Sequence, residues 1–223
     1  MFEDSGVLAE LTQLRAGTAD CLDAPAWALP DTDLVDSLDA VHQLEQAVAA
    51  VKLHLVREVD ARALPVAAHA YSTAGWLRER LRINTGTARR LVSLAKELDQ
   101  RPGLDEALGA GRVNTEQTAA IVDTLTALPA DLGTEAVDKA ETLLVGWAEQ
   151  FEAQSLRRIG ARILEHVAPE VAERADAARL AREEARAVAG RAFTLSPVVA
   201  GRVRLSGWLD TEAAAIVSAA LDP

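Results

Sequence analysis

A chain of 223 residues, 49 % hydrophobic and 26 % charged, is long and apolar enough to bury a core, which excludes disorder. Its net charge of −11 argues against indiscriminate nucleic-acid binding, which depends on Lys and Arg neutralising phosphates. An acidic start (Met1-Phe2-Glu3-Asp4), no apolar run near the roughly 18 residues of a membrane span, and a single cysteine, Cys21, lead us to expect a cytoplasmic chain.

Aromatic residues are only 4 %, so Leu, Val, Ile and Ala must fill the core, a composition that suits closely packed helices. Residues 1–32 form a loosely patterned segment in which Pro25 and Pro30 break any long element, with a short helix expected near Ser5–Arg15. From Asp33 the pattern tightens. Val41, Leu44, Val48, Val51 and Leu55 recur at intervals of three and four, the rhythm of a helix-packing seam. Asp33 is a suitable cap and Pro65 forbids continuation, so the longest helix is expected over 33–63. A seam of this kind pairs within the fold or across a homodimer, and packing within the fold is the preferred reading.

A helix–turn–helix pattern follows. Ser72 or Thr73 caps a short helix carrying Trp76, Leu77 and Leu81; Arg82-Ile83-Asn84 makes the turn; and Asn84 caps a second helix from Thr85 to Leu98. Ala88, Leu91, Val92, Ala95 and Leu98 form its expected buried stripe, opposite Gly86, Arg89, Arg90, Ser93 and Lys96. Residues 104–128 echo this unit at a constant offset: Arg82-Ile83-Asn84-Thr85 is matched by Arg112-Val113-Asn114-Thr115, and Leu91-Val92 by Ile121-Val122. In the echo Ala119 and Ala120 replace Arg89 and Arg90, so only the first copy is suited to phosphate.

After Pro129, helices are expected over 134–151 and 155–167, then from Pro169 to Ala189 with Gly190 as C-cap. The period then changes to two. Phe193 and Leu195, then Val203 and Leu205, alternate with polar neighbours around Ser196-Pro197 and Gly201, which predicts a β-hairpin. Asp210 caps a last helix, and the stop at Leu221-Asp222-Pro223 reads as an interruption. The expected architecture is mainly α: a multi-helix bundle over 33–190 containing two helix–turn–helix-like hairpins, then a small β-hairpin and short helix over 191–223 packed on it.

Complete catalytic signatures are missing. His42, His54, His69 and His166 lack metal-site spacing, no Gly-x-Ser-x-Gly elbow or phosphate-binding P-loop occurs, and Cys21 has no basic neighbour, so neither a metal nor a cofactor is expected. His54 and Glu58 read as a helix-surface pair, and Trp27, Trp76, Trp147 and Trp208 as core anchors.

The feature with functional leaning is a basic island. Between Ala74 and Arg101, seven bases (Arg78, Arg80, Arg82, Arg89, Arg90, Lys96, Arg101) face three acids (Glu79, Glu97, Asp99), a net of +4 that leaves −15 for the rest. Arg78, Arg82, Arg89, Arg90, Ser93 and Lys96 are the candidate contacts to double-stranded DNA, since the second helix of such a unit is the one that enters a major groove.

Two stretches add a resemblance. Ser72-Thr73-Ala74-Gly75-Trp76-Leu77 runs into Ala88-Arg89-Arg90-Leu91-Val92, and Leu156-Arg157-Arg158 leads through Val167-Ala168-Pro169-Glu170 to Gly207-Trp208-Leu209-Asp210 and Ala213-Ala214-Ala215. Over roughly 35–223 the chain resembles the domain of unknown function 222 family, also called the 13E12 repeat family, common in actinobacteria. The resemblance implies the N-terminal part of a longer protein whose following His-Asn-His module is a metal-dependent endonuclease. No such module is present in this sequence, and the family supplies no catalytic residues for this region. The expected function is therefore a non-catalytic module that assists DNA association or positioning. The alternative is a protein-interaction or homodimer scaffold built on the helix over 33–63.

Overall fold

The computed structural model describes residues 6–221. Among them are twelve α-helices, a short 3₁₀ helix and one two-stranded antiparallel sheet. Two compact units divide the chain, the first ending at Ala119 and the second starting at Ala120, inside helix α7 (Thr115–Thr126).

The first unit begins with α1 (Gly6–Leu22), longer than expected; Ser5, where its start was placed, lies outside the described residues. The 3₁₀ turn Ala26–Ala28 leads to α2 (Asp31–Ala61), the longest helix, which spans about 46 Å at 1.5 Å per residue. Pro65 does not merely stop α2. It opens a further short helix, α3 (Leu64–Ala67), in a first-turn position that needs no N–H. Then come α4 (Thr73–Leu81), α5 (Thr85–Leu98) and α6 (Pro102–Gly109).

The buried face of α2 differs from the expected seam. Gln46, Ala50, Leu53 and Val56 are buried, and α2 packs on α5 and α6. Val41, Val48 and Leu55 are exposed instead, and Leu44 and Val51 half-buried. The cause is that α2 carries two apolar stripes. The one containing the small Ala50 lets neighbouring helices approach closely, although its Gln46 disguises it in sequence. Gln46 is not stranded there: its side-chain oxygen accepts hydrogen bonds from the Thr115 N–H at 3.0 Å and the Thr115 hydroxyl at 3.1 Å. Its amide donates to the His42 carbonyl at 3.2 Å.

In α5 the buried residues are Ala88, Leu94, Ala95 and Leu98, while Leu91 and Val92 are half-buried, so the stripe is rotated from its expected centre. Leu104, Ala107 and Leu108 of α6 are fully buried. The turn after α6 uses Gly111 at φ +70°, where a side chain is strained, and a Cβ there would meet Gln43 Cα at 3.0 Å. That glycine lets the turn lie directly on α2. The echo of the first hairpin extends to its capping: Asn114 accepts from the Gln117 N–H and Gln117 reciprocates, both at 2.8 Å, forming a capping box.

The second unit contains the end of α7, α8 (Thr134–Ala148), α9 (Ala153–Gly160), α10 (Ile163–Val167), α11 (Pro169–Ala189), β1 (Ala192–Leu195), β2 (Leu205–Trp208) and α12 (Thr211–Leu221). The helix expected over 155–167 is thus two helices, parted at Ala161 and Arg162. Ile121, Leu144, Leu156 and Ile163 are its largest fully buried side chains, and α8 packs on both α9 and α10. Gly160 is required at the crossing with α7, because a Cβ there would fall 2.5 Å from Thr124 Oγ1.

The β-hairpin is present, with Phe193 opposite Gly207 and Leu195 opposite Leu205; Val203 lies outside the strand. Every strand residue is exposed. Two tryptophans depart from the expected core role: Trp27 is 90 % exposed and Trp208 79 %. Trp27 lies in the exposed 3₁₀ turn and Trp208 ends β2, a strand with every residue exposed.

Candidate nucleic-acid interface

Local chemistry builds the hairpin that carries the basic island. Ser72 adopts an extended backbone and its hydroxyl accepts the Gly75 N–H at 3.1 Å, which starts α4. Arg82 ends it in the left-handed region at φ 55°. Asn84 Oδ1 then accepts the Thr87 N–H at 2.7 Å and opens α5. The turn between the helices is therefore three residues, 82–84, and α4 packs directly on α5.

Asp60, near the end of α2, holds both helices. Its carboxylate accepts a hydrogen bond from the Thr73 hydroxyl at the start of α4 and pairs with Lys96 Nζ of α5 at 2.9 Å. The Lys96 ammonium first, then the Thr73 hydroxyl, keeps the Asp60 carboxyl below its ordinary range. A second tie links Arg57 of α2 to Asp99 at 2.8 Å. Neither was legible in sequence, because these partners lie on different helices with no periodic relation.

The six candidate residues are all exposed, but they are not equivalent. Lys96 is engaged by Asp60, and Arg78 pairs with Glu79 at 3.1 Å. Arg90 makes a long contact of 3.4 Å to the Thr87 hydroxyl, a neutral group that leaves its charge uncompensated. Arg82 and Arg89 form no ion pair among the described residues. Arg82, Arg89, Arg90 and Ser93 thus lie exposed on the hairpin, and the three arginines have no carboxylate partner among the described residues. Arg80 lies outside this set, its guanidinium 5.1 Å from the Trp76 ring.

His54 pairs with Asp105 at 2.8 Å rather than with Glu58, which binds Arg62 instead. In the second unit a cleft of about 630 Å³ is lined by Phe151, Ser155, Arg158, Ile159, Arg162, Glu165 and His166. There Arg162 makes two hydrogen bonds, 2.8 and 2.9 Å, to Glu165, and holds that carboxyl below its ordinary range. The His166 and Trp147 rings lie edge-to-face, their centroids 5.5 Å apart. Among the described residues, no three His, Cys, Asp or Glu side chains are grouped to hold a metal ion, and no helix is long and apolar enough to cross a membrane.

Comparison with known proteins gives one finding. No curated protein and no solved structure matches the chain. The profile of the family described as "Domain of unknown function (DUF222)" matches residues 36–223, and the chain therefore belongs to the DUF222 family.

Proposed function

We propose that the chain is a DNA-associating or positioning module without a catalytic centre of its own, and that α4–α5 is its duplex-contacting element. The observation that carries this reading is the uncompensated charge of Arg82, Arg89 and Arg90 beside Ser93 on an exposed helix–turn–helix hairpin. In such hairpins the second helix reaches base edges while arginines position it on phosphates. The resemblance to proteins that carry a His-Asn-His nuclease module supplies the setting: this chain places duplex DNA for metal-dependent cleavage by a neighbouring module. Fluorescence anisotropy with a labelled duplex across a salt series tests it. The full chain binds, and Arg89→Ala with Arg90→Ala weakens binding and flattens its salt dependence; duplex binding that ignores both substitutions assigns the contact elsewhere.

A second reading, a homodimer through α1 and α2, is favoured by a specific observation. Leu34, Val35, Leu38 and Val41 of α2 are exposed, as are Val7, Leu8 and Leu22 of α1. Residues 6–45 carry eight acids (Glu10, Asp20, Asp23, Asp31, Asp33, Asp36, Asp39, Glu45) against Arg15, a net of −7. Added salt therefore strengthens such a dimer by screening, whereas it weakens DNA binding. Sedimentation at low and high salt separates the two readings, and Leu38→Asp dissolves a dimer of this kind.

A further inference from the structure

The apolar stripe of α2 that faces away from its core has two different neighbours along its length. Over its first part, Leu11, Leu14, Arg15 and Thr18 of α1 share a cleft with Val41, Leu44, Glu45 and Val48. Beyond Leu11 the stripe continues as Val48, Val51, Leu55 and Val59, and α4 forms the far wall with Trp76, Leu77 and Leu81. The result is an open groove of about 400 Å³, floored by the buried Val56 and Leu77. Leu55 remains 45 % exposed and Leu81 42 %, a contiguous apolar surface rather than scattered single residues.

Its charges are all of one sign. Among the described residues, Lys52 and Arg80 are the only ionisable ones that line it. Among the described residues neither forms an ion pair, although the chain as a whole carries −11. Lys52, and Arg80 held against the Trp76 ring with no ion-pair partner among the described residues, put positive charge on an apolar groove in an acidic protein, which selects carboxylates. The groove's shape selects a helix. Val48, Val51, Leu55 and Val59 follow the intervals 3, 4 and 4 over about 16 Å, three helical turns, and α1 already lies beside the same stripe one step earlier.

We propose that this groove docks an amphipathic helix of a partner protein, its apolar face set into Val48, Val51, Leu55, Val59 and Leu81 and its Asp or Glu edges meeting Lys52 and Arg80. The proposal stands apart from the DNA reading, since none of these residues belongs to the six candidate DNA contacts.

Two synthetic helical peptides of about 18 residues test it, sharing one leucine face and flanked by Glu in one case and Lys in the other. Anisotropy with the full chain is expected to show the Glu-flanked peptide binding about ten-fold more tightly, against the overall charge of the protein. Lys52→Glu with Arg80→Glu reverses that preference, and Leu55→Glu with Leu81→Glu abolishes binding of both. The paired charge reversals lie on the surface, so the test survives if the leucine variant fails to fold. Preference for the Lys-flanked peptide, or a preference unmoved by charge reversal, overturns the proposal. So does sedimentation showing a dimer of the chain that Leu55→Glu dissolves, since the occupant is then a second copy.

Discussion

If the uncompensated arginines of the α4–α5 hairpin carry duplex binding, the salt dependence can be apportioned residue by residue. Arg82, Arg89 and Arg90 each meet one phosphate, whereas Arg78 and Lys96 are already held by Glu79 and Asp60. Three neutralised phosphates give a slope of log K against log salt of about −2.7, from about −0.9 per phosphate. Raising salt from about 50 to about 200 mM then weakens binding about forty-fold through these contacts. Removing Arg89 and Arg90 together makes the slope shallower by about 1.8, and removing Arg82 by about 0.9. Replacing Arg78 or Lys96 with alanine leaves it within about 0.3, because each charge is already spent on a protein carboxylate. The assay is anisotropy titration of one duplex at five or so salt concentrations for each variant. A Lys96→Ala slope as shallow as that of Arg89→Ala refutes the partition into engaged and free cations.

Two further outcomes follow from the first unit's packing. Gly111→Ala imposes a left-handed alanine at about 1–2 kcal/mol and a contact with the Gln43 backbone at about 1–3 kcal/mol, less about 0.4–1 kcal/mol from the stiffer unfolded chain. Chemical denaturation should register a net loss of roughly 3 kcal/mol, and Gln43→Ala should not restore it, because the Cα at 3.0 Å remains. Full rescue by Gln43→Ala contradicts the close backbone approach. The second concerns pH. The folded Asp60 carboxyl titrates below its ordinary value of 3.8, so its contribution is complete above that value and fades as pH falls through the lower folded one. Asp60→Asn should therefore lose about 1 kcal/mol at neutral pH, a figure already reduced for the 56 % exposure of Lys96, and show a flatter acid limb below pH 4 than the parent. Parallel acid limbs for the two proteins count against the tie.

Much of the local structure was legible because it depends on neighbours in sequence. Ser72 and Asn84 announced helix starts through side-chain capping, the echo set Asn114 at the matching turn, and the change from period 3.6 to period two located the β-hairpin. Failures arose where a helix had more than one apolar face. In α2 the regular Val41–Leu55 rhythm was the more visible stripe, yet the core face was the one with Gln46 and Ala50. The Gln46 oxygen finds its partner in Thr115, far along the chain. α5 shows the same ambiguity on a smaller scale, since Leu94 is buried while Leu91 and Val92 stay half-exposed. For the candidate site, sequence gave the six residues their exposure and common hairpin. It could not sort the engaged from the free, because Lys96 meets a carboxylate from another helix. The groove was hidden for a related reason: Trp76 looked like a core anchor, and only the placement of α4 along α2 shows it as a wall.

Asp60 has a mechanical consequence. One carboxylate, on the last turns of α2, grips the first residue of α4 through Thr73 and the last turn of α5 through Lys96. With the Arg57–Asp99 pair it joins the C-terminal end of α5 to α2 at two neighbouring points, which resist sliding and pivoting alike. A load applied at the arginine-bearing end of α5 is therefore carried as torque to α2, the helix whose opposite face forms the groove. Removing the Asp60 carboxylate leaves the Arg57–Asp99 pair and the apolar packing of α5 on α2 to carry that load.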